Sequence, residues 1–263
     1  MNSHHNGDRD MTTIVTLSCP EGIVMGADSR IRDKVTNQIT DDVLKIIKVE
    51  NFDIAISYWG EAPVGNKFLD ILKEFQQNLC EDETVDSITE KLRLYLEQKF
   101  PDYDNKEMGF HIAGMILENG SNKPRIKHVF HVSWCEKGKF INENSNQEYH
   151  KGPIKLTYEC ERKYIPLFNG ENSIANGFFN LIPQAFGDRQ ILLEKFNIEM
   201  CERLANLIIT VNDSVLEFYY SIDQQPRQAN RVTGGEPVII AITRDGFRDL
   251  KRYELLKSKY NGQ

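Results

Sequence analysis

The sequence contains no run of apolar residues long enough to span a lipid bilayer, which needs about 20 in succession. It also lacks any cluster of lysine and arginine, and the 263-residue chain carries a net charge of -7. Nucleic acids and anionic membranes favour clustered basic residues, so we expect neither as a partner. The first ten residues lack the basic-then-apolar order of a secretory signal, and the expected location is therefore cytoplasmic.

Cysteine is scarce, and its five residues are an odd number with no CxxC pair. This pattern is typical of reduced thiols and argues against a disulfide framework or a zinc site. Cys19 is interpreted as an inert core thiol, with nothing nearby to lower its pKa. His111, His128 and His131 lack carboxylates or cysteines at ligand spacing, and they are interpreted as structural. We predict no cofactor and no metal.

Recognisable catalytic motifs are also absent. The chain has no GxSxG, GxxxxGK[ST], GxGxxG or HExxH segment, which would indicate a nucleophile elbow, a phosphate loop, a dinucleotide site or a zinc peptidase. No tract rich in Gly, Ser or Pro divides the chain, and no internal repeat is visible. Any chemistry must therefore come from a less common arrangement within one domain.

The predicted elements come in blocks. Residues 12–19 and 22–30 predict a hairpin, and residues 43–49 and 52–60 predict a second one. Apolar residues at helical spacing follow, then two strands, a charged irregular stretch, more helical segments (including residues 171–186) and a final strand. Runs of strands that alternate with runs of helices predict a layered α+β fold.

Finer expectations concern the ends and faces of these elements. A helix over residues 84–100 is predicted to place Leu94 on its apolar face, and Thr84 is only a weak start signal. Residues 118–124 are predicted to form a turn between strands because they include Asn, Gly and Pro. Residues 189–222 are predicted to be one long helix, and residues 247–256 to include a short charged tail.

The first predicted strand carries the strongest chemical signal, because it begins with Thr12 directly after a methionine. A hydroxyl is a weak nucleophile without a base, and an N-terminal threonine brings one in its own α-amine. Asp28 and Arg30 are charged residues at the end of the second run, and Lys45 precedes a β-branched strand. If the strands pair as predicted, the lysine lowers the pKa of the nucleophile and the carboxylate holds the lysine charged. Each residue alone is typical of a solvated surface, but the three together favour a catalytic interpretation.

The stretch TTIVTLSCPEGIVMGADSR resembles the start of mature proteasome β-type subunits and of the bacterial HslV-type peptidase, both N-terminal nucleophile (Ntn) hydrolases. The resemblance implies a four-layer αββα sandwich, with two antiparallel sheets between helix layers. It also implies a threonine-type endopeptidase in which Thr12 is the nucleophile and Lys45, held by Asp28, lowers its pKa. The implied substrate is a peptide or unfolded protein, and the implied assembly is a homo-oligomeric ring that works with a separate ATPase.

The same resemblance suggests three further site residues. Gly60 fits the glycine whose backbone N–H binds the oxyanion in that family. The segment NRVTGGEPVIIAI resembles the family's Asp-x-x-Ser-Gly-Gly segment, with Asn230 in the place of the aspartate and Thr233 in that of the serine. An asparagine can orient the Thr12 amine by hydrogen bonding, but it cannot form an ion pair.

Residues 1–11 are interpreted as a leader that is removed or disordered, and residues 12–263 as a single Ntn-hydrolase domain. The order Met-Thr-Thr at residues 11–13 has the form of an HslV-type start, which predicts that the working protein begins at Thr12. Three alternatives stay open: an Ntn amidohydrolase for a small amide, a non-catalytic proteasome-like structural subunit, and an unrelated α+β binding protein.

Overall fold

The structure is a computed structural model of the chain. It describes residues 12–32, 39–63, 67–103, 107–132, 136–144, 164, 166–170, 193–222, 234–248 and 251–261. Within these ranges the fold is mixed α+β, with two five-stranded antiparallel sheets, a two-stranded ribbon and four α-helices. This agrees with the predicted α+β class.

The strands in these ranges are β1 (Thr13–Cys19), β2 (Gly22–Ala27), β3 (Ile31–Arg32), β4 (Ile39–Thr40), β5 (Ile46–Lys48), β6 (Ile54–Gly60), β7 (Met108–Glu118), β8 (Ser121–His131), β9 (Ile141–Asn144), β10 (Pro166–Gly170), β11 (Val238–Thr243) and β12 (Gly246–Arg248). The α-helices are α1 (Phe68–Gln76), α2 (Val85–Lys99), α3 (Ile198–Ile222) and α4 (Lys251–Asn261), and a 3-10 helix covers Leu193–Lys195. None of the helices described here has the length and apolar character needed to cross a membrane.

The first sheet has the strand order β10-β1-β2-β11-β12, and all its neighbouring strands are antiparallel. β1 therefore has a partner on each side, and its residue Ile14 lies opposite Asn169 in β10 and Ala27 in β2. The second sheet has the order β5-β6-β7-β8-β9 and is also antiparallel. Both predicted hairpins, β1–β2 and β5–β6, are confirmed.

Alternate residues of β1 contribute to two different cores. Ile14 lies in a cluster shared by both sheets, α1 and α2, whereas Val15, Leu17 and Cys19 lie in a second cluster with α3. Because side chains alternate along a strand, a strand covered on both faces is buried at every position, as all seven residues of β1 are. Burial of one Val, Leu or Ile side chain contributes about 1.5–3 kcal/mol, so these contacts fix the start of β1.

The expectations for the second helix need two corrections. Leu94 is 43% exposed, because it lies two positions from both Leu92 and Leu96, which face the core. Thr84 is a strong cap rather than a weak one, since its side chain accepts a hydrogen bond from the Ser87 N–H and the Ser87 side chain accepts one from the Thr84 N–H.

The turn between β7 and β8 is much shorter than predicted. It consists of Asn119 and Gly120, with φ angles of 52° and 76°, and Glu118 already pairs with Ser121. Asn-Gly is the preferred pair for a two-residue hairpin turn of this kind. Pro124 lies within β8, and among the described residues the β9 pairing covers Lys127 to Phe130, so none of its pairs includes the proline, which has no N–H to donate.

Two further expectations are corrected near the end of the chain. The predicted long helix is interrupted, because a 3-10 helix ends at Lys195 and α3 starts at Ile198. Asn197 causes the new start, since its Oδ1 accepts a hydrogen bond from the N–H of Met200 at 2.8 Å. The predicted charged tail is instead mostly helix α4, which buries Tyr253. The helix predicted for residues 171–186 and the leader lie outside the described residues.

Candidate active site

The β1–β2 hairpin places Asp28 beside the start of β1. Ile14 pairs with Ala27, so the residue after β2 lies next to the residues that open β1. The pairing continues one step further, where the N–H of Asp28 donates to the carbonyl of Thr13 at 3.1 Å. The sequence-based expectation that Asp28 approaches Thr12 therefore follows from a local hairpin.

Lys45 completes a buried group of three side chains. Its Nζ donates to Thr12 Oγ1 at 3.4 Å, to Asp28 Oδ1 at 3.0 Å and to Asp28 Oδ2 at 2.9 Å. Lys45 and Asp28 are each 1% exposed, and Thr12 is 7% exposed. The structure thus brings together the three residues that the sequence selects, at distances where the ammonium acts directly on the hydroxyl.

Asp28 is fully engaged by donors. The N–H of Thr13 donates to Oδ1 at 2.8 Å, and the N–H of Gly234 donates to Oδ2 at 3.2 Å, in addition to the two contacts from Lys45. Burial raises the pKa of the Asp28 carboxyl, while the Lys45 ammonium and both backbone N–H groups act in the opposite direction. These donors hold the carboxylate in one orientation and so fix the lysine.

The chain after β2 is also tied to the segment that begins at Gly234. The N–H of Ser29 donates to the Gly234 carbonyl at 3.0 Å, and the Ser29 hydroxyl donates to the Glu236 carbonyl at 2.9 Å. Arg30 makes a two-point contact with Asp41, at 2.6 and 3.2 Å, which raises the pKa of its guanidinium. The two bonds of Ser29 hold Asp28 and Gly234 in register.

Gly60 lies at a backbone position that excludes other residues. Its φ is +85°, and a Cβ there would lie 2.0 Å from the carbonyl oxygen of Glu107. The N–H of Tyr58 donates to Lys45 O, whereas that of Glu61 donates to Glu107 O on the other side of the strand. Because N–H groups alternate along a strand, the N–H of Gly60 is directed to the same side of β6 as that of Tyr58, the side on which β5 and Lys45 lie.

Asn212 is a site residue that the sequence interpretation missed. It lies on α3, is 1% exposed, and its Nδ2 donates to Thr13 Oγ1 at 2.7 Å. The sequence did contain a sign of it, because Asn212 is a polar residue three and four positions after the buried Ile209 and Ile208, on the same face of the helix. Because it touches the residue next to Thr12, Asn212 belongs to the surroundings of the proposed nucleophile.

The three predicted structural histidines are all buried. Asn169 Oδ1 accepts from His111 Nε2 at 2.6 Å, which leaves His111 Nδ1 to accept from the Thr16 hydroxyl at 2.9 Å. Burial lowers the pKa of His111 to about 4, so the ring is neutral at pH 7. Among the residues that the structure describes, no group of three or more His, Cys, Asp and Glu side chains could hold a metal ion.

The placement of Cys19 in the core is confirmed, but the expectation that nothing nearby lowers its pKa is wrong. Cys19 is buried under α3 together with Cys201, and a hydrogen bond with the Cys201 thiol lowers the pKa of Cys19 to about 7 while burial opposes the change. Cys201 lies on α3, far from Cys19 in the sequence, so the residues around Cys19 gave no sign of this contact.

Two of the six predicted site residues, Asn230 and Thr233, lie outside the described residues. Gly234, the residue after Thr233, is described, and its N–H donates to Asp28.

No protein-family model matches the chain, and no curated protein matches its sequence. The buried group formed by Thr12, Asp28 and Lys45 is therefore the feature on which a functional assignment must rest.

Proposed function

We propose that the chain is a threonine-type peptidase in which Thr12, freed as the N-terminal residue, is the nucleophile. The observation that carries this proposal is the 3.4 Å contact between Lys45 Nζ and Thr12 Oγ1 in a site where the lysine is 1% exposed. A buried ammonium at this distance favours the deprotonated form of the hydroxyl. Asp28 compensates the charge of the lysine and keeps it in place.

The arrangement of the helices supports an Ntn-hydrolase fold for this peptidase. α3 packs on β1, β2 and β11, and α2 packs on β7 and β8, while residues of both sheets share one apolar cluster. These contacts are those expected of a four-layer αββα sandwich, the fold that the resemblance implies.

The proposed reaction has two stages. Thr12 Oγ attacks the carbonyl carbon of the scissile bond while its proton passes to the α-amine of Thr12, directly or through a water. The N–H of Gly60, directed toward the Lys45 side, stabilises the oxyanion. The C–N bond then breaks, the leaving amine takes the proton from the Thr12 ammonium, and water hydrolyses the Thr12 ester to regenerate the hydroxyl.

The substrate that fits this chemistry is a peptide bond in a peptide or an unfolded protein. A homo-oligomeric ring in the cytoplasm, fed by a separate ATPase, is part of the same proposal because it accompanies the Ntn peptidases that the opening stretch resembles. A small-amide hydrolase would use the same three residues with a different pocket. A structural subunit would keep the fold without turnover.

The experiment begins with the N-terminus. Intact-mass analysis of the purified full chain is expected to give a protein that begins at Thr12, and a fluorogenic peptide panel is expected to show turnover. Thr12→Ala should abolish that turnover, whereas Thr12→Ser, which keeps a hydroxyl and an α-amine, should retain part of it.

Three results contradict the proposal. One is peptide hydrolysis by a chain that still carries residues 1–11, and another is full activity of Thr12→Ala. The third is a protein that begins at Thr12 and hydrolyses no peptide. Turnover of small amides alone would then support the amidohydrolase alternative, and no turnover at all would support the structural subunit.

A further inference from the structure

Asn212 occupies a position on α3 where the helix is otherwise apolar. The buried positions Cys201, Ala205, Ile208 and Ile209 follow helical spacing, and Asn212 continues it by one step. Asparagine is seldom fully buried, because its amide must replace the hydrogen bonds that water provides. Its presence at 1% exposure therefore needs a reason beyond packing.

Only one end of this carboxamide is satisfied. Nδ2 donates to Thr13 Oγ1 at 2.7 Å, whereas the buried Oδ1 has no hydrogen-bond partner among the described residues. A buried acceptor without a partner is destabilising, because it has given up its hydrogen bonds to water. Thr12 directly precedes Thr13, so the carboxamide contacts the immediate chain neighbour of the proposed nucleophile, and its unused Oδ1 lies at this end of β1.

We propose that Asn212 is a positioning residue for the nucleophile, and that its Oδ1 accepts a hydrogen bond from the α-amino group of Thr12 once that group is free. The inference rests on the proposed function, because it needs Thr12 as the N-terminal residue. Asn212 then acts on the nitrogen of Thr12, whereas Lys45, held by Asp28, acts on its hydroxyl oxygen.

This hydrogen bond would fix the orientation of the Thr12 α-amino group. A free amino group rotates about its N–Cα bond, and only some rotations point the nitrogen lone pair at Oγ1. A hydrogen bond to Asn212 Oδ1 fixes one N–H and thereby holds the lone pair in a productive direction, which is the kind of preorganisation that a general base needs. Thr13 keeps the carboxamide itself in place through Nδ2.

The test compares three substitutions on one helix. Asn212→Asp keeps an acceptor and adds a negative charge beside Thr12, and Asn212→Leu removes the acceptor. Asn206→Asp makes the same charge change at an exposed position six residues earlier on α3 and serves as the matched control. Each full chain carries a protease site within residues 1–11, so that it folds before it is cut to begin at Thr12.

The first readout does not depend on activity. The pKa of the Thr12 α-amine is measured from the pH dependence of its 13Cα shift in threonine-labelled protein. Asn212→Asp is expected to raise that pKa by about one unit or more, because a carboxylate in contact favours the ammonium. Asn206→Asp is expected to leave it within about 0.2 units of the unsubstituted protein, a limit set by the distance-dependence of exposed charges.

The second readout separates positioning from binding. Asn212→Leu is expected to lower kcat at least about tenfold, with KM changed less than about twofold. Asn212→Asp is expected to recover most of kcat at pH values above its raised α-amine pKa, whereas Asn212→Leu recovers at no pH. If Asn212→Leu does not fold, the pKa of the Thr12 α-amine in Asn212→Asp alone decides whether the proposal stands.

The proposal is overturned if the α-amine pKa of Asn212→Asp equals that of Asn206→Asp. It is also overturned if folded Asn212→Leu keeps at least half of the original kcat. If the cut chain hydrolyses nothing but Asn212→Asp still raises the α-amine pKa, the Asn212 contact stands and the peptidase assignment fails. The two inferences are thereby tested separately.

Discussion

The Nζ of Lys45 lies 2.9 Å from Asp28 Oδ2, and both side chains are 1% exposed. Removal of two charges from water costs several kcal/mol per ion, and a buried pair of this kind is often no more stabilising than two apolar residues of the same size. A purely structural role therefore explains this ion pair poorly. The proposed function gives the lysine a chemical role instead, through its contact with Thr12.

The first prediction concerns the stability of this pair. Lys45→Met and Asp28→Asn should each lower the free energy of unfolding by about 3–5 kcal/mol, because each leaves a buried partner without compensation. The double variant should lose at least about 2 kcal/mol less than the sum of the single losses, since neither charge remains. Urea unfolding of all four proteins measures this coupling.

The matched control for that cycle is Lys123, which contacts Glu118 at 2.7 Å with side chains that are 38% and 47% exposed. Lys123→Met should cost less than about 1 kcal/mol, because solvent screens an exposed pair. A loss for Lys45→Met that is no larger than the loss for Lys123→Met would show that burial does not couple Lys45 to Asp28.

The second prediction compares two glycines with similar backbone angles. Gly60 and Gly120 have φ values of +85° and +76°, but a Cβ at Gly60 would lie 2.0 Å from Glu107 O, while one at Gly120 would have nothing within 4 Å. Gly120→Ala should cost about 1–2 kcal/mol, the price of a left-handed backbone. Gly60→Ala should cost at least about 2 kcal/mol more, since the β6 end must also move.

The midpoints of urea unfolding for the two alanine variants test this difference. Gly60→Ala is also expected to lose peptide hydrolysis, because its N–H would shift away from the Lys45 side, whereas Gly120→Ala should retain it. Equal midpoints for the two variants would contradict the steric argument.

The third prediction concerns acid stability. The pKa of His111 is lowered by burial from 6.5 to about 4, so between these pH values the unfolded chain binds a proton that the folded chain does not. The contribution of neutral His111 to the free energy of unfolding is complete above pH 6.5 and is lost as the pH falls toward 4. Burial also lowers the pKa of His128, whose ring lies 5.1 Å from that of His111.

The measurement is the free energy of unfolding at pH 7.5 and at pH 4.5. His111→Gln keeps a donor and an acceptor for Thr16 and Asn169 but cannot titrate, so the fall between the two pH values should be about 2–3 kcal/mol smaller than in the unsubstituted protein. Between pH 7.5 and 8.5 the two proteins should change in parallel. An unchanged acid dependence would mean that His111 is not kept neutral by the fold.

The sequence predicted those parts of the site that depend on short-range pairing. Asp28 reaches the start of β1 because a hairpin with a short turn connects their strands, and Lys45 precedes the first strand of the next hairpin. Asn212 was not predicted at the site, because it arrives through α3 packing. Gly234 reaches Asp28 through the β2–β11 pairing, and only the family resemblance of its segment pointed to the site. Hydrophobic periodicity identifies such elements but does not specify which strand end they contact.

Local errors have similarly local causes. The turn predicted for residues 118–124 was too long, because an Asn-Gly pair alone is enough to close a hairpin and Pro124 can lie within a strand. Leu94 was assigned to the core by its hydrophobicity, although its angle on the helix directs it outward. In each case the residue type was informative and its exact position decided the structure.

The hydrogen bond from Gly234 to Asp28 joins positions 206 residues apart. During synthesis the β1–β2 hairpin emerges long before the β11 strand that pairs with β2. A nascent chain shorter than 234 residues therefore lacks one of the donors that hold Asp28. Completion of the hydrogen bonds around Asp28 therefore waits until Gly234 has been synthesised, 206 residues after Asp28 itself.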